Sequence, residues 1–195
     1  MAYKTDNFDD EIVRRLMKGD VGLLPTDTIY GISGRALDKI TVNRIRQIKG
    51  RSHDKPFIIL ISDIKMLDLL SISADQAITV QKYWPGPLSG IFQAPSAPDW
   101  LRAADGTLAV RLPDYDKLVK LIQKTGPIIS TSANISGERP AQTAAQAESV
   151  FGGQLDFYVN IGPLNNPPST LATVKDGRLK VLRPGSVNVS KEDTI

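Results

Sequence analysis

The chain of 195 residues has no cysteine and one histidine, His53. The first absence excludes disulfides, thiolate metal sites and thiol nucleophiles. The second excludes any multi-histidine metal site and leaves at most one histidine-dependent acid–base arrangement; His53 reads as a surface loop residue. No apolar run approaches the roughly 20 residues needed to cross a bilayer, and the start, Met1-Ala2-Tyr3-Lys4-Thr5-Asp6, carries no signal-peptide pattern. No membrane association and a cytoplasmic location are therefore the default expectations. Charge of one sign is not in excess either: 24 Lys and Arg against 21 Asp and Glu leave +3, too little for a nucleic-acid coat. Neither a Gly-x-x-x-x-Gly-Lys-Ser/Thr loop nor a Gly-x-Gly-x-x-Gly turn occurs, so a nucleotide would have to be held by scattered cations and hydroxyl-bearing loops.

What is present reads as one domain of ordinary apolar content, 41%. Asn7 and Asp9 precede an amphipathic helix with Ile12, Val13, Leu16 and Met17, stopped by Gly19. A short buried strand at 21–24 then empties through Pro25 into a polar turn. A second helix runs from about Asp38 to Gly50 with Ile40, Ile45 and Ile48 on one face. Phe57-Ile58-Ile59-Leu60-Ile61 is a strand internal to the sheet, and Ser62-Asp63 caps a short helix. Ser73 with Gln76 and Thr143 with Gln146 have capping-box spacing. Further strands are expected at 88–93 and 108–112, a helix at 118–124, and a late hairpin, 171–174 and 179–182, around Asp176-Gly177. The hairpin requires antiparallel pairing, so the fold class is α/β: a single-domain twisted sheet of mixed parallel and antiparallel strands flanked by helices.

Five places carry the candidate chemistry. The run Ser130-Thr131-Ser132-Ala133-Asn134-Ile135-Ser136-Gly137 follows the apolar Pro127-Ile128-Ile129 and reads as a strand emptying into a polar loop, either a solvated turn or a grip on a compact polar ligand. Arg111 lies inside an apolar strand, where a charge marks an ion pair or a ligand. Lys49 and Arg51 flank Gly50; they either answer the helix dipole or bind an anion, and with Arg44 and Arg46 they put four cations in eight positions. Thr26 and Thr28 alternate around Asp27, which an Asx or Ser/Thr turn would explain without a ligand. Arg183-Pro184-Gly185 lies near the C-terminus.

The ordered set resembles the YrdC-type threonylcarbamoyl-adenylate synthase family. The matching pieces are Pro25-Thr26-Asp27-Thr28-Ile29-Tyr30-Gly31, Lys49-Gly50-Arg51 with Lys55-Pro56-Phe57, and Trp84-Pro85-Gly86-Pro87-Leu88. Thr107-Leu108-Ala109-Val110-Arg111-Leu112-Pro113, Ser132-Ala133-Asn134-Ile135-Ser136-Gly137, Ser169-Thr170-Leu171 and Leu182-Arg183-Pro184-Gly185 follow in family order. The resemblance covers residues 8–187, a YrdC-like catalytic domain, with 188–195 as a tail. Ending at Ile195, the chain resembles the short, single-domain form.

The resemblance implies synthesis of L-threonylcarbamoyl-adenylate and pyrophosphate from L-threonine, bicarbonate and ATP, with Mg2+ accompanying the nucleotide. A downstream tRNA threonylcarbamoyl transferase then uses the product beside the anticodon, and direct tRNA contact is open. By resemblance Lys49, Arg51, Thr107, Ser132, Asn134 and Arg183 serve ATP, with Lys49 and Arg51 as catalytic cations; Thr26, Ile58, Arg111, Ser130 and Ser169 hold threonine, and Thr28 is interchangeable with Thr26. No protein-held metal is implied, and residues 163–169 are the internal lid candidate. Joining these substrates requires alignment and charge neutralisation, not a side-chain nucleophile. Two rivals differ in class. A non-catalytic RNA-binding module would use the cations at 44–51 as a basic concave surface, and an enzyme of carbamoyl phosphate would be expected to carry additional domains.

Overall fold

The computed structural model describes residues 1–52, 56–175 and 177–194. His53, Lys55 and the Asp176 half of the expected hairpin turn lie outside the described residues. Ten strands form one sheet: β1 (Tyr3–Thr5), β2 (Gly22–Pro25), β3 (Tyr30–Arg35), β4 (Ile58–Leu60), β5 (Leu88–Gln93), β6 (Thr107–Arg111), β7 (Ile128–Ser132), β8 (Phe157–Val159), β9 (Thr170–Lys175) and β10 (Arg178–Arg183). Their order is β1-β8-β2-β3-β7-β4-β6-β5-β9-β10. Pairing is mixed: β4 runs parallel to β6 and antiparallel to β7, and β9 and β10 form the expected antiparallel hairpin. The sheet reaches beyond 8–187, because β1 pairs β8 and the stretch Lys191–Asp193 returns to the body, where Asp193 accepts from Tyr83 Oη at 2.8 Å.

Among the described residues five α-helices flank the sheet: α1 (Asp10–Met17), α2 (Lys39–Lys49), α3 (Ile78–Gln81), α4 (Asp116–Thr125) and α5 (Ala144–Phe151). Asp9 and Asp38 cap α1 and α2 by accepting from first-turn amides, and Gly50 closes α2 in the left-handed region at φ 57°. Ile40 is not on the buried face of α2; at 81% exposed it faces solvent, and Val42, Ile45 and Lys49 point inward instead. The Ser73 box does not form. Gln76 spends its carboxamide on both backbone groups of Gln93, stitching a 3₁₀ turn to the end of β5. Thr143 does cap Gln146 N, while the Gln146 side chain takes Gln142 N rather than the cap residue. Asp63, not Ser62, caps the 3₁₀ helix Ile64–Leu70.

Each face of the sheet has its own core. Ile59, Ile61, Val110 and Ile129 join the larger one, beneath α2 and the Ile64–Leu70 helix. Leu24, Leu60, Ile128 and Phe157 point the other way, against Ile12 and Leu16 of α1 and Leu118, Leu121 and Ile122 of α4. By strand alternation Ser130 and Ser132 share the face of Ile128, Ile58 that of Leu60, and Gly31 that of Leu24. On this second face apolar residues lie under the helices and hydroxyls and charges lie beside them.

Close approach on that face is secured by glycine. A Cβ at Gly31 would lie 2.3 Å from Ser130 Oγ, and one at Gly22 would lie 2.4 Å from the Phe157 ring. Gly22→Ala is therefore expected to destabilise the fold by about 2 kcal/mol through overpacking. Adding Phe157→Leu should recover part of that loss, giving a favourable coupling in a double-mutant cycle measured by urea unfolding.

Candidate active site

The uncovered part of the second face floors a cavity. Of the residues singled out from the sequence, Thr26, Thr28, Arg51, Ile58, Arg111, Ser130, Ser132, Ser169 and Arg183 line it. They come from six segments far apart in the chain, which the sheet order brings together. Three of the four hydroxyls of the 130–137 run do not sit in a loop: residues 130–132 continue β7, with Ser130 opposite Ile58 and Ser132 opposite Gly31, and only Ser136 lies in the turn that follows. Alternation turns both serines to the cavity face, and their strand setting fixes their direction.

Arg111 ends β6 with 4% of its side chain exposed. Its Nη2 lies 3.0 Å from Asp27 Oδ1 and its Nη1 donates to Thr28 Oγ1 at 3.2 Å. Its Nε is buried and has no hydrogen-bond partner among the described residues. Burial pulls its pKa down, Asp27 opposes that, and Arg183 adds to it. The ion pair and the cavity-facing role, alternatives in the sequence, therefore coexist. Thr26 shapes the turn: its hydroxyl donates to Ile29 O and accepts from the amides of Thr28 and Ile29. That is the Ser/Thr turn considered from the sequence, and it leaves Thr28 as the hydroxyl that touches Arg111.

Arg183 Nη2 donates to Ser169 O at 2.9 Å, and Ser169 Oγ shares a hydrogen bond of 2.9 Å with Ser89 Oγ. Ser89 sits beside Arg111 on the β5–β6 pair and is missing from the residues proposed from sequence; one serine in an apolar strand gave no separate signal. The crossing at Arg183-Pro184-Gly185 is tight, since a Cβ at Gly185 would lie 2.2 Å from Pro168 O. Residues 163–169 are tied down by Leu164 N donating to Gln142 O, and Pro168 with Ser169 forms wall. Arg51 donates to Pro56 O at 2.8 Å and lies over the Phe57 ring, 5.2 Å from its centroid. Tyr30, also missed, lines the cavity and is fixed by donating to Gly162 O and accepting from Ile161 N.

Three expected contacts are placed otherwise. Lys49 is 2% exposed and sits behind the wall; its ammonium donates to Ser132 O, Asn134 O and Asn134 Oδ1. The Asn134 carboxamide also accepts from Ser132 Oγ and donates to Ile135 O and Glu138 O, so it is consumed in building the turn. Thr107 begins β6, at the other end from Arg111, and its hydroxyl donates to Asp105 at 2.7 Å. None of the three lines the cavity. The cations at 44–51 are not a solvated stripe either: Arg44 pairs with Asp156, Arg46 is buried and donates to Ser52 O and Trp100 O, and Lys49 is enclosed.

A mixed sheet whose bare half carries a buried arginine, two further arginines at the cavity and a row of hydroxyls defines an α/β protein with a site suited to a small anionic ligand. The chain belongs to the Sua5/YciO/YrdC family, whose profile, described as telomere recombination, matches residues 14–185. The threonylcarbamoyl-AMP synthase of Bacillus subtilis is 34% identical over 188 residues, 92% of this chain and 54% of that protein, so the chain spans about half of that relative. The threonylcarbamoyl-AMP synthase of Vibrio vulnificus is 31% identical over 90% of this chain and 97% of its own. Among solved structures, Pyrococcus abyssi Sua5 complexed with L-threonine superposes with TM-score 0.83 at 29% identity, over 95% of this chain and 57% of that one. Escherichia coli YciO gives 0.85 at 23% identity over 99% and 100%, a likeness of fold.

Burial, and then the Arg51 charge, pull the Lys49 pKa down to about 8. Below pH 8 the lysine is protonated both folded and unfolded, and the fold bears the full cost of a buried charge. From there to the unfolded value of about 10.4 the folded chain binds fewer protons, so stability rises with pH. Relative to Lys49→Met, in which other titrations cancel, wild type is expected to gain up to about 3 kcal/mol between pH 8 and 10.4. Urea melts of both proteins at pH 7, 8, 9 and 10 measure it; a pH-independent difference contradicts the burial argument.

Proposed function

We propose that the protein is an L-threonylcarbamoyl-adenylate synthase, which forms threonylcarbamoyl-AMP and pyrophosphate from L-threonine, bicarbonate and ATP. The observation that carries this reading is Arg111, a buried guanidinium lining the cavity together with Thr28, Ser130 and Ser169, whose Nε has no hydrogen-bond partner among the described residues. A carboxylate is its natural ligand. Membership of the family, the activity named for relatives above 30% identity, and the threonine complex of the Pyrococcus abyssi relative support the choice of substrate.

In this reading Arg111 takes the threonine carboxylate, with Ser130, Ser169 and Thr28 around it and Ile58 against its aliphatic part. The threonine nitrogen bonds to the carbon of bicarbonate, water leaves, and an oxygen of the resulting carbamate attacks the α-phosphorus of ATP while pyrophosphate departs. Arg51 and Arg183 face the cavity as the cations for the phosphates, and Ser132 supplies a hydroxyl beside them. Lys49 and Asn134 act through the turn they hold. The chain's part is alignment and charge compensation, which suffice for this chemistry.

Mg2+ fits as a companion of the nucleotide, where it would neutralise phosphate charge. Among the described residues no group of three or more His, Cys, Asp or Glu stands together, and Asp27 is engaged with Arg111. The product would pass to a downstream tRNA threonylcarbamoyl transferase. No helix among the described residues is long and apolar enough to cross a membrane. The engaged cations at 44–51 give little support to the RNA-binding module.

Purified protein incubated with ATP, Mg2+, bicarbonate and labelled threonine is expected to release pyrophosphate in a threonine-dependent manner and to yield a labelled threonylcarbamoyl nucleotide. No threonine-dependent pyrophosphate would sink the reading. Arg111→Ala should weaken threonine binding by two orders of magnitude or more, about 3 kcal/mol. Because it strands Asp27, it should also cost roughly 3 kcal/mol of stability. Arg111→Lys keeps a charge for Asp27 but loses the fork; its threonine affinity, read by calorimetry, should still fall about tenfold or more.

A further inference from the structure

Asp27 is not among the residues that line the cavity, yet its carboxylate is nearly as buried as the guanidinium it faces, 6% exposed against 4%. An aspartate spent this way needs a reason, because burying a charge is costly unless it is paired. We propose that Asp27 is a positioning residue for Arg111, holding the guanidinium in place at the cavity for the carboxylate of the amino-acid substrate. The assignment rests on threonine being that substrate.

Two contacts hold Arg111, an ion pair of Nη2 with Asp27 Oδ1, which accepts no hydrogen bond among the described residues, and a hydrogen bond from Nη1 to Thr28 Oγ1, and neither takes Nε. An arginine side chain carries about 2 kcal/mol of rotamer entropy, so pinning it before the ligand arrives lowers the cost of binding. Asp27 is itself held from two directions. Its backbone belongs to the turn that the Thr26 hydroxyl closes, and its Oδ2 accepts from Asp114 N at 3.2 Å. Asp114 follows β6 closely, so one carboxylate joins the turn after β2 to the exit of the strand that carries Arg111. It also serves as counter-ion where Arg183 repels Arg111. With one oxygen at Nη2 and the other on a backbone amide, Asp27 touches no substrate and acts only through Arg111.

The test compares wild type, Asp27→Asn and Asp27→Ala in threonine-dependent pyrophosphate release, with threonine and ATP varied separately, alongside thermal melts. Asp27→Ala is expected to raise the threonine KM at least about tenfold while the ATP KM stays within about twofold. Asp27→Asn, which keeps an oxygen acceptor toward Nη2 without its charge, should restore the threonine KM to within about fivefold of wild type. An unchanged threonine KM in Asp27→Ala, an equal rise in both KM values, or an Asp27→Asn impaired beyond fivefold would overturn the assignment. If Asp27→Ala does not fold, the calorimetric threonine affinity of Asp27→Asn without ATP decides by the same fivefold limit. Absence of threonine-dependent pyrophosphate in wild type defeats the functional reading; an active wild type matched by Asp27→Ala defeats only the role of Asp27.

Discussion

A lysine that is almost wholly enclosed keeps its charge near neutral pH only if all three of its N–H groups find acceptors, and at Lys49 all three acceptors come from one short turn, Ser132 O, Asn134 O and Asn134 Oδ1. That arrangement sets much of the rest. It fastens the end of α2 to the end of β7, so the helix C-terminus and the serine-bearing strand move as one piece. It draws the Asn134 carboxamide off the cavity and spends its donors on Ile135 O and Glu138 O, which closes the loop that follows. It also leaves the wall that Ser130 and Ser132 offer to a ligand built before any ligand binds, and a preformed wall loses less entropy on binding.

On the second face the hydroxyls and the buried charge collect where α1 and α4 do not reach. Under α1 and α4 the second face is Leu24, Leu60 and Ile128; beyond their reach it becomes Ser130, Ser132, Arg111 and Ser89. Cations meet there at the ends of different strands, Arg111 from β6 and Arg183 from β10, and each is lowered in pKa by burial. Arg111 is buried against Asp27, and Arg183, which is exposed, lines the same cavity, so the cavity carries a surplus of positive charge suited to an anion. Anion binding is thus built into the fold by an imbalance at its centre, whereas the chain as a whole carries just +3.

Much of the architecture was legible because it follows from patterns that physics makes local. The caps at Asp9 and Asp38, the left-handed Gly50, the strand at 88–93 and the late hairpin all declare themselves within a few residues. β3 was missed since Tyr30-Gly31-Ile32-Ser33-Gly34-Arg35 has two glycines and no run of β-branched residues; its reason is tertiary, the room Gly31 must leave for Ser130. Residues 130–132 looked like loop because strand propensity says nothing about a strand whose one face is a binding surface. The site was legible as a set of residue types in order, but not as a division of labour. Lys49, Asn134 and Thr107 carry the right chemistry for a phosphate, and only their hydrogen-bond partners reveal that in this structure they are spent elsewhere.

The same distinction applies to Asp27. In sequence it is the middle of a Thr-Asp-Thr turn, and a turn accounts for it fully. In space the turn is a means: Thr26 closes it, Thr28 reaches Nη1 of Arg111, and Asp27 faces Nη2. Three consecutive residues thus supply the closure, the hydroxyl and the counter-charge for one guanidinium that lies more than eighty positions away in the chain. The strand neighbours Ala109, Val110 and Leu60 offer Arg111 no acceptor side chain, and the Ser89 hydroxyl across the β5–β6 pair is engaged with Ser169. The acceptors had to come from a loop, and the loop had to be rigid. A threonine-closed turn at the end of β2 supplies the Thr28 hydroxyl and the Asp27 counter-charge, and Arg111 Nε is left buried with no hydrogen-bond partner among the described residues.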